Sequence, residues 1–506
     1  MKKPTPAPRA SHVNSGTSIP RDQLAWPTVS GAVFRTPKLH TEIDDRAEVT
    51  PYGGLVLVEQ FLRRFKVGKL IDEHVHVLKQ HLPFHESDHI LAQALNLYVG
   101  GTTLEDLGSL QHDEAVKRIL GACRLPDPTT AGDFLRRFSP ASLDQLRYTT
   151  DVLQEEVWEK LARQQGSRKT KGRQAIVYLD GHIKSLYGVT MEGADFSYKG
   201  DWSYNALVIS MAGTGECLFV RLRPGNVRSS EGAAEALDDL LPRLREHYDE
   251  ILIVADSDFD RSDVREACQR AGVYFAFVGR ENADRPEMAD SIKDWRRFRT
   301  RAERAAEEKR RGAGYQPRKR GTNRRRQRAK ARKFMELRLV GQLVGEVSWT
   351  PPKSNAHLRL IVRRQEIDRY EAKQGELFET YRDRYIVTNL PASWSAEEVI
   401  DATYQRCDQE NVIEQLGSGL AMWRMPVKQF VGNEVWMEIA RLAWNLRVWI
   451  AQLALPEEVC RWEWKRFRQA FVFLAAQVVH RARQVWVRFT GSHRFAQLVL
   501  AAHLRL

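Results

Sequence analysis

The chain has 506 residues and a formal net charge of +13 at neutral pH. No run of 18 or more uncharged apolar residues occurs, which excludes a membrane-spanning helix, and the basic start lacks the apolar core of a secretory signal. Five cysteines stand singly without a CxxC pair, which argues against disulfides and structural zinc and for a reducing cytosol. We therefore expect a cytoplasmic protein of about three domains.

Most of the net charge lies in one segment. Arg296–Lys333 contains 18 Lys or Arg residues against three acids, a local charge of +15, which leaves −2 for the rest of the chain. A solvated charged run is the simplest interpretation, but a basic patch inside a chain better suits the phosphate backbone of double-stranded DNA. Six of its residues are predicted DNA contacts: Arg318, Lys319, Arg320, Arg324, Arg325 and Arg326.

The first third of the chain combines a polar tail with a helical region. Residues 1–48 are rich in Pro, Ser, Thr and charge without a sustained period, which predicts a disordered amino-terminal tail. Residues 49–170 have helical periodicity, and the clearest helices are expected at 89–99, 114–120, 132–138 and 140–164. This region is interpreted either as a helical module that only packs or as a DNA-binding and dimerisation region.

Residues 171–279 alternate between strand and helix patterns. Strands are expected at 174–180, 204–212, 217–223, 250–256 and 273–278, and helices at 230–247 and about 259–271. The order of three strands, helix, strand, helix and strand predicts an antiparallel meander joined by a parallel strand after a crossover helix. This is the strand order of a ribonuclease H-like core, so the fold class is α/β.

Two of these strands end in an aspartate. Asp180 ends the apolar run QAIVYLD and Asp256 ends EILIVAD, and the first and fourth strands are neighbours in that sheet. Carboxylates at the ends of buried strands are suited to holding metal ions for two-metal phosphoryl transfer. We expect Asp258 and Asp260 to cap the next helix, and His182 either to be structural or to assist proton transfer.

A basic segment and a β-rich insertion follow at 280–390, with strands expected at 336–349, 357–364 and 381–390. Trp349, at the tip of this insertion, could stack on an unpaired base or pack on its own sheet. Beyond Pro391 the pattern predicts helices to the end, with a second part of the core at 391–424 and a carboxy-terminal helical region at 425–506. Seven of thirteen tryptophans fall between Trp423 and Trp486, and we expect them in the core.

A two-metal site needs a third carboxylate, which we expect on a helix after the sheet. The first long helix there is predicted at Trp394–Leu416, with Ser395 as its N-cap. Five residues recur at three- and four-residue spacing and should share one face: Thr403, Arg406, Glu410, Ile413 and Gly417. Arg406 and Glu410 form an i,i+4 pair on that face. The pair is interpreted either as a surface salt bridge or as part of a catalytic site, because this is the first long helix after the interrupted sheet.

Several motifs resemble one known family when they are taken in order. They are YLDGH, LRPGNVRSS, VADSDF, YIVTNLP and the helix carrying YQRCDQENVIEQL. With the leader GGTTLEDLGSLQHDEAVKRILG, they resemble the DDE transposases of bacterial insertion sequences, most closely the DDE group 1 transposases (the insertion-sequence 1380 family). The resemblance covers about residues 50 to 450.

The resemblance implies that Asp180, Asp256 and Glu410 are the DDE triad and hold Mg²⁺, for which Mn²⁺ can substitute. It also implies a bacterial, nucleoid-associated enzyme that binds terminal inverted repeats and target DNA as a homodimer or synaptic oligomer. Family members carry Tyr-x-x-Arg-x-x-x-Glu-x6-Lys on the last helix. This chain matches at Arg406 and Glu410 and departs at Thr403 and Gly417, so Arg406 is the predicted phosphate ligand, and Lys428 or the basic segment would replace the missing lysine.

Two other functions remain open at this stage. A nuclease on the same fold would cleave DNA without strand transfer, although that reading leaves the long interruption unexplained. A non-catalytic DNA-binding descendant of a transposase would keep the fold and the basic segment, and the changes at Thr403 and Gly417 leave room for it. The intact set of two aspartates and one glutamate argues against such decay.

Overall fold

The computed structural model describes residues 39–44, 47–164, 174–187, 189–311, 337–352, 356–369, 380–482, 484–491 and 493–506. They fall into two compact units. Unit 1 contains the described residues of 174–181 and 228–409, and unit 2 contains the other described residues. Most of the tail predicted at 1–48 and the most basic stretch, 312–336, lie outside the described residues.

The amino-terminal part of unit 2 is helical, as predicted. Its elements are β1 (Glu48–Thr50), α1 (Leu55–Arg64), α2 (Val67–His74), α3 (Glu86–Val99), α4 (Leu107–Gln111), α5 (Glu114–Leu120), α6 (Pro128–Arg136) and α7 (Pro140–Gln164). Helix α6 begins four residues earlier than predicted. The Asp127 side chain accepts the Thr130 N–H and Pro128 occupies the first turn, so these two residues start the helix ahead of the predicted position.

The five strands and two helices predicted between 171 and 279 are confirmed, and one further short strand, Asp195–Phe196, was not predicted. They are β2 (Gln174–Ser185), β3 (Asp195–Phe196), β4 (Trp202–Met211), β5 (Cys217–Arg221), α8 (Ala233–His247), β6 (Glu250–Ala255), α9 (Ser262–Arg270) and β7 (Tyr274–Val278). In unit 1, β6 lies between β2 and β7 and is parallel to both. In unit 2, β4 pairs with β3 and β5 in antiparallel fashion. The boundary between the units falls inside β2, after Gly181.

The insertion extends the sheet of unit 1. Its elements are α10 (Asp284–Asp290), β8 (Arg296–Arg297), α11 (Arg301–Arg311), β9 (Leu337–Trp349), β10 (Leu358–Arg369) and β11 (Thr380–Thr388). The three long strands confirm the predicted β runs and form antiparallel pairs. Val387 of β11 lies opposite Phe277 of β7, so the order in unit 1 is β2-β6-β7-β11-β10-β9-β8.

The carboxy-terminal part differs from the prediction in two places. Its elements are α12 (Ala396–Tyr404), α13 (Cys407–Glu414), a π-helical turn (Gln415–Gly419), α14 (Phe430–Ala454), α15 (Trp464–Phe471), β12 (Ala476–Arg481), β13 (Gln484–Phe489) and α16 (Ala496–Arg505). The single helix predicted at 394–416 is wrong, because it breaks after Tyr404. The expectation of helices to the end is also wrong, since β12 and β13 form a hairpin that pairs with β1.

The core of unit 2 is built around α14, which packs against α3 and α7. Four tryptophans are fully buried there, Trp436, Trp444, Trp449 and Trp464, which confirms the core interpretation for them. Trp486 is the exception, with 53% of its surface exposed. Among the helices that the structure describes, none is both long enough and apolar enough to span a lipid bilayer.

Candidate active site

Asp180 and Asp256 lie side by side where the pairing of two parallel strands stops. Asp256 directly follows β6, as predicted, but Asp180 lies inside β2, because that strand continues to Ser185 instead of ending at the aspartate. Leu179 of β2 lies opposite Ala255 of β6, so the next residue on each strand is an aspartate. Neighbouring strands are about 4.8 Å apart, which places the two backbones at that separation. The structure therefore brings together the two carboxylates that the strand pattern predicts.

Asp180 is held by one backbone donor and one guanidinium. The Gly181 N–H donates to its Oδ1 over 2.8 Å, and Arg406 Nη1 donates to its Oδ2 over 3.0 Å. The exposed fractions of the Asp180 and Arg406 side chains are 14% and 19%. A charge-assisted hydrogen bond with little access to water is stronger than one on the surface. Arg406 therefore fixes the direction of the Asp180 carboxylate.

Gly181 allows a second segment to approach this strand closely. A Cβ atom at Gly181 would lie 2.7 Å from the Cβ of Ser229, closer than real side chains come. Ser229 belongs to the LRPGNVRSS motif and Gly181 to YLDGH. Two of the motifs therefore meet beside Asp180, and the glycine is required by this contact rather than by its own dihedral angles.

Asp256 begins the short 3₁₀ turn Ser257–Phe259, and its Oδ1 accepts the Asp258 N–H over 2.9 Å. Burial raises the pKa of Asp256 above its ordinary value, and the Asp258 N–H and the Arg406 and Arg280 guanidinium groups oppose that rise. Arg406 thus acts on both aspartates, by a direct hydrogen bond to Asp180 and through the electrostatic field at Asp256. A divalent cation would favour the charged form of this carboxylate still further.

Arg280 clamps the loop that carries Asp256. Its Nε donates to the Ser257 carbonyl over 2.9 Å and its Nη2 to the Asp258 carbonyl over 3.0 Å. Sequence reasoning missed this residue. The signal was present, because Arg280 follows the end of β7 much as Asp256 follows β6, and the parallel strands end at the same edge of the sheet.

The predicted capping role of the next two aspartates is wrong. Arg261, not an aspartate, precedes α9. Asp260 is buried, pairs with Arg265 and Arg285, and accepts the Arg280 N–H over 3.3 Å. A buried carboxylate needs such partners to offset the loss of water. Asp260 therefore anchors the far end of the loop whose near end is Asp256.

The family model Transposase DDE domain group 1 matches residues 38–506. The chain belongs to that family. A search of curated proteins found no match. One similar solved structure is a cryo-electron microscopy structure of the piggyBac transposase synaptic complex with hairpin DNA. It has 10% sequence identity and a TM-score of 0.38, over 84% of this chain and 83% of that one.

The helix expected to carry the last motif of a DDE group 1 transposase departs from the family sequence pattern and is also interrupted. Gln405 and Arg406 form a turn between α12 and α13, so the residues predicted to share one helical face do not lie on one continuous helix. Thr403 is buried and donates from Oγ1 to the Val399 carbonyl over 2.8 Å. The neighbouring Tyr404 is 46% exposed, and the Arg363 guanidinium lies 5.0 Å from the centre of its ring.

Position 417 has a steric reason to lack the family lysine. A Cβ atom at Gly417 would collide with the indole ring of Trp423, whose Nε1 donates to the Ile413 carbonyl over 3.3 Å. Any larger residue would have to displace this ring. The departure from the family pattern at Gly417 is therefore built into the packing of the π-helical turn.

Glu410 is an exposed residue of α13 and belongs to unit 2. Across the described ranges, no group of three or more His, Cys, Asp or Glu side chains is arranged to hold a metal ion. The structure thus places Asp180 next to Asp256. The assignment of Glu410 as the third DDE carboxylate stays a prediction. The two aspartates fit a hard divalent cation in donor chemistry, because they supply carboxylate oxygens with no thiolate.

Two other predicted residues have partners within the protein. The His182 ring stacks on Trp423 with 4.7 Å between centroids, and burial lowers the pKa of His182 to about 4. This favours the structural interpretation of His182, because the ring is neutral at physiological pH. The Arg285 guanidinium lies 4.1 Å from the Trp349 ring centre and that of Arg265 lies 5.6 Å from it. Trp349 is half-buried and already makes cation–π contacts.

The remaining predicted DNA contacts are Lys428 and the basic segment. Lys428 is exposed, and its carbonyl accepts the Glu192 N–H over 3.0 Å. The six predicted contacts between Arg318 and Arg326 lie outside the described residues. The structure describes the first part of the basic segment, residues 296–311. There, Arg299 forms an ion pair with Glu307, and Arg304 forms one with Asp401. The charge of this first part is therefore partly neutralised.

Proposed function

We propose that the chain is a DNA transposase that cleaves the ends of its element and joins the freed 3′-hydroxyl to target DNA at one active site. The observation that carries the proposal is the pair Asp180 and Asp256, next to each other on parallel strands in a member of the DDE group 1 family. We assign the strands of residues 171–279 to a ribonuclease H-like core, a proposal supported by the parallel β2–β6 pair and the antiparallel β4–β5 pair.

Asp180, Asp256 and, by family resemblance, Glu410 would hold two Mg²⁺ ions, with Mn²⁺ as a substitute. Bound ions of this kind lower the pKa of an attacking water and stabilise the departing oxygen of a phosphodiester. The buried β2 and β6 keep water away from the far side of the carboxylates. The Gly181 N–H and Arg406 hold the two oxygens of Asp180, and the Asp258 N–H holds Oδ1 of Asp256, so that both carboxylates have a fixed orientation.

Arg406 and Arg280 would have different roles in this reaction. Arg406 lies against Asp180 and is the residue that we assign to a phosphate of the element end, because a planar guanidinium can bind carboxylate and phosphate oxygens. Arg280 is a positioning residue, since its two hydrogen bonds go to carbonyl groups of the loop after Asp256. Pre-organisation of this loop would spare the enzyme the cost of ordering it during reaction.

The proposed partner is double-stranded DNA, comprising the terminal inverted repeats of an insertion sequence and the target. The charge of +15 in Arg296–Lys333 supports this assignment. We propose a homodimer or larger synaptic assembly, because both ends of an element must be held together. Trp349 would stack on an unpaired base only if it exchanged its contact with Arg285 for the base.

The decisive test is an end-joining assay. The full-length protein is incubated with Mg²⁺, a supercoiled plasmid, and a labelled duplex that carries the DNA flanking the gene. The proposal expects label to become joined to the plasmid, and chelation of the metal to abolish joining. Cleavage without joining would establish a nuclease, and binding without cleavage would establish a non-catalytic descendant. Either result would overturn the proposed function.

A further inference from the structure

The carboxy-terminal hairpin of unit 2 presents one face of a small sheet to solvent. Strand β12 lies between β1 and β13, and its residues Ala476 and Val478 are buried on the inner side. The strand register assigns the opposite face. The outward residues are Val49, Gln477, Val479, Arg481, Gln484, Trp486 and Arg488. This face was not anticipated, since the region was expected to be helical.

A tryptophan lies in the middle of this face and is exposed to water. Trp486 lies opposite Val479 across the hairpin, and 53% of its surface is accessible. Val49, on the edge strand β1, is 65% exposed on the same face. The other tryptophans of this part of the chain are buried in the core, so the exposure of Trp486 is a local feature. Exposed aromatic surface of this kind commonly marks a place where a partner binds.

Two arginines flank Trp486 on the same face. Arg488 is two residues along β13, and Arg481 lies diagonally across the hairpin, a position about 7–8 Å away between backbones. Within the part of the chain that the structure describes, neither arginine forms an ion pair. Glu48 is the one acid in the three strands, and it lies opposite Val478, on the inner side, where it pairs with Arg118. The outward face is therefore aromatic and positively charged.

We propose that this face binds an unpaired DNA strand, with one base stacked on Trp486 and neighbouring phosphates bound by Arg481 and Arg488. The flat indole suits any base, and the guanidinium groups suit the phosphates. The inference rests on the proposed function, because cleavage and transfer of element ends would expose unpaired strands. A protein partner is less well matched, since the face offers two cations and no acid for specific pairing.

The test measures binding of a fluorescently labelled thymidine oligonucleotide to the full-length protein by anisotropy, over a range of salt concentrations. Trp486→Ala should weaken binding about tenfold and Trp486→Phe much less, because stacking needs only an aromatic face. Arg481→Gln with Arg488→Gln should reduce the slope of log affinity against log salt by about 1.4, the value for two phosphate contacts on a single strand. Trp486→Ala should fold, because the side chain is half exposed.

A charge-matched control removes two arginines elsewhere in unit 2. Arg63 and Arg163 have 67% and 69% of their side chains exposed on α1 and α7, and Arg63→Gln with Arg163→Gln should leave the slope unchanged. The proposal is overturned if Trp486→Ala binds the oligonucleotide as tightly as wild type. It is equally overturned if Trp486→Ala changes only the sedimentation of the protein without DNA, which would make the face a contact between copies. The proposed function is tested separately: if the wild-type protein joins duplex ends, that function stands even when either of these two results overturns the role of Trp486.

Discussion

Arg406 Nη1 donates to Oδ2 of Asp180 over 3.0 Å, and this hydrogen bond connects the turn between α12 and α13 to the middle of β2. The same guanidinium lowers the pKa of Asp256, against the effect of burial. One cation therefore binds the Asp180 carboxylate directly and favours the charged form of the neighbouring Asp256.

Arg406→Gln should move the acid limb of the pH profile to higher pH. Burial already raises the pKa of Asp256, and loss of the nearby cation removes one of the effects that oppose the rise. The carboxylate must be deprotonated to bind metal, so activity in the variant should be lost at a less acidic pH. The measurement is kcat/KM for end joining against pH, which reports the free enzyme. Arg406→Lys keeps the positive charge and should shift the acid limb of the profile less than Arg406→Gln does. A shift of the same size in both variants would contradict the electrostatic account.

Asp256→Asn should abolish joining and yet stabilise the metal-free protein at neutral pH. The pKa of Asp256 is raised in the folded state, so the charged form costs folding free energy above that pKa, and the cost disappears as the pH falls through it. The gain in stability should therefore shrink at acidic pH. Urea denaturation at neutral and acidic pH, in the presence of a chelator, measures both effects. A variant that is less stable than wild type at neutral pH would be inconsistent with this reasoning.

Asp180→Asn should have the opposite effect on stability. The substitution removes a charge-assisted hydrogen bond between two largely buried side chains and leaves the Arg406 guanidinium without its carboxylate. The expected loss is about 1.5–3 kcal/mol in the free energy of unfolding. The same urea experiment makes this comparison, with Asp256→Asn as the matched partner. If both substitutions raised, or both lowered, the free energy of unfolding, the proposed difference between the environments of Asp180 and Asp256 would be refuted.

Arg280→Ala should slow joining by about a hundredfold, because a small displacement of a catalytic group costs about that factor. The variant loses the hydrogen bonds to the Ser257 and Asp258 carbonyls, so the loop that carries Asp256 is less ordered. The Mg²⁺ concentration for half-maximal rate should rise as well, which simple loss of stability would not produce. Arg382→Ala, which removes an exposed arginine of β11, is the control and should retain the wild-type Mg²⁺ dependence. An unchanged Mg²⁺ dependence in Arg280→Ala would contradict the positioning role.

Local patterns predicted the parts of the fold in which one sequence period dominates. The apolar runs before Asp180 and Asp256 are parallel neighbours, and Ser395 caps its helix with Glu398 as expected. These features depend on residues close in the chain, and burial of both sheet faces leaves little freedom in register. The two aspartates could therefore be placed from sequence alone.

The features that sequence missed depend on packing between distant residues. No Gly or Pro marks the break after Tyr404, and Arg406, in the turn that follows, binds Asp180, which is 226 residues away in the chain. The hairpin has a period-two signal in AQVVHR and QVWVRF, which the prediction of helices from Pro391 to the end did not take into account. The place of Arg280 after β7 was visible in the sequence, but its role was not, because its hydrogen bonds go to backbone carbonyls of the loop after Asp256.

The most direct test of the central claim is the end-joining assay on wild type and Asp256→Asn with the same DNA and Mg²⁺. DNA binding measured in parallel shows that the variant is folded and competent to bind. The account predicts that Asp256→Asn binds DNA as wild type does and joins no detectable ends. Joining by Asp256→Asn at the wild-type rate would contradict the assignment of Asp256 and with it the active site described for this transposase.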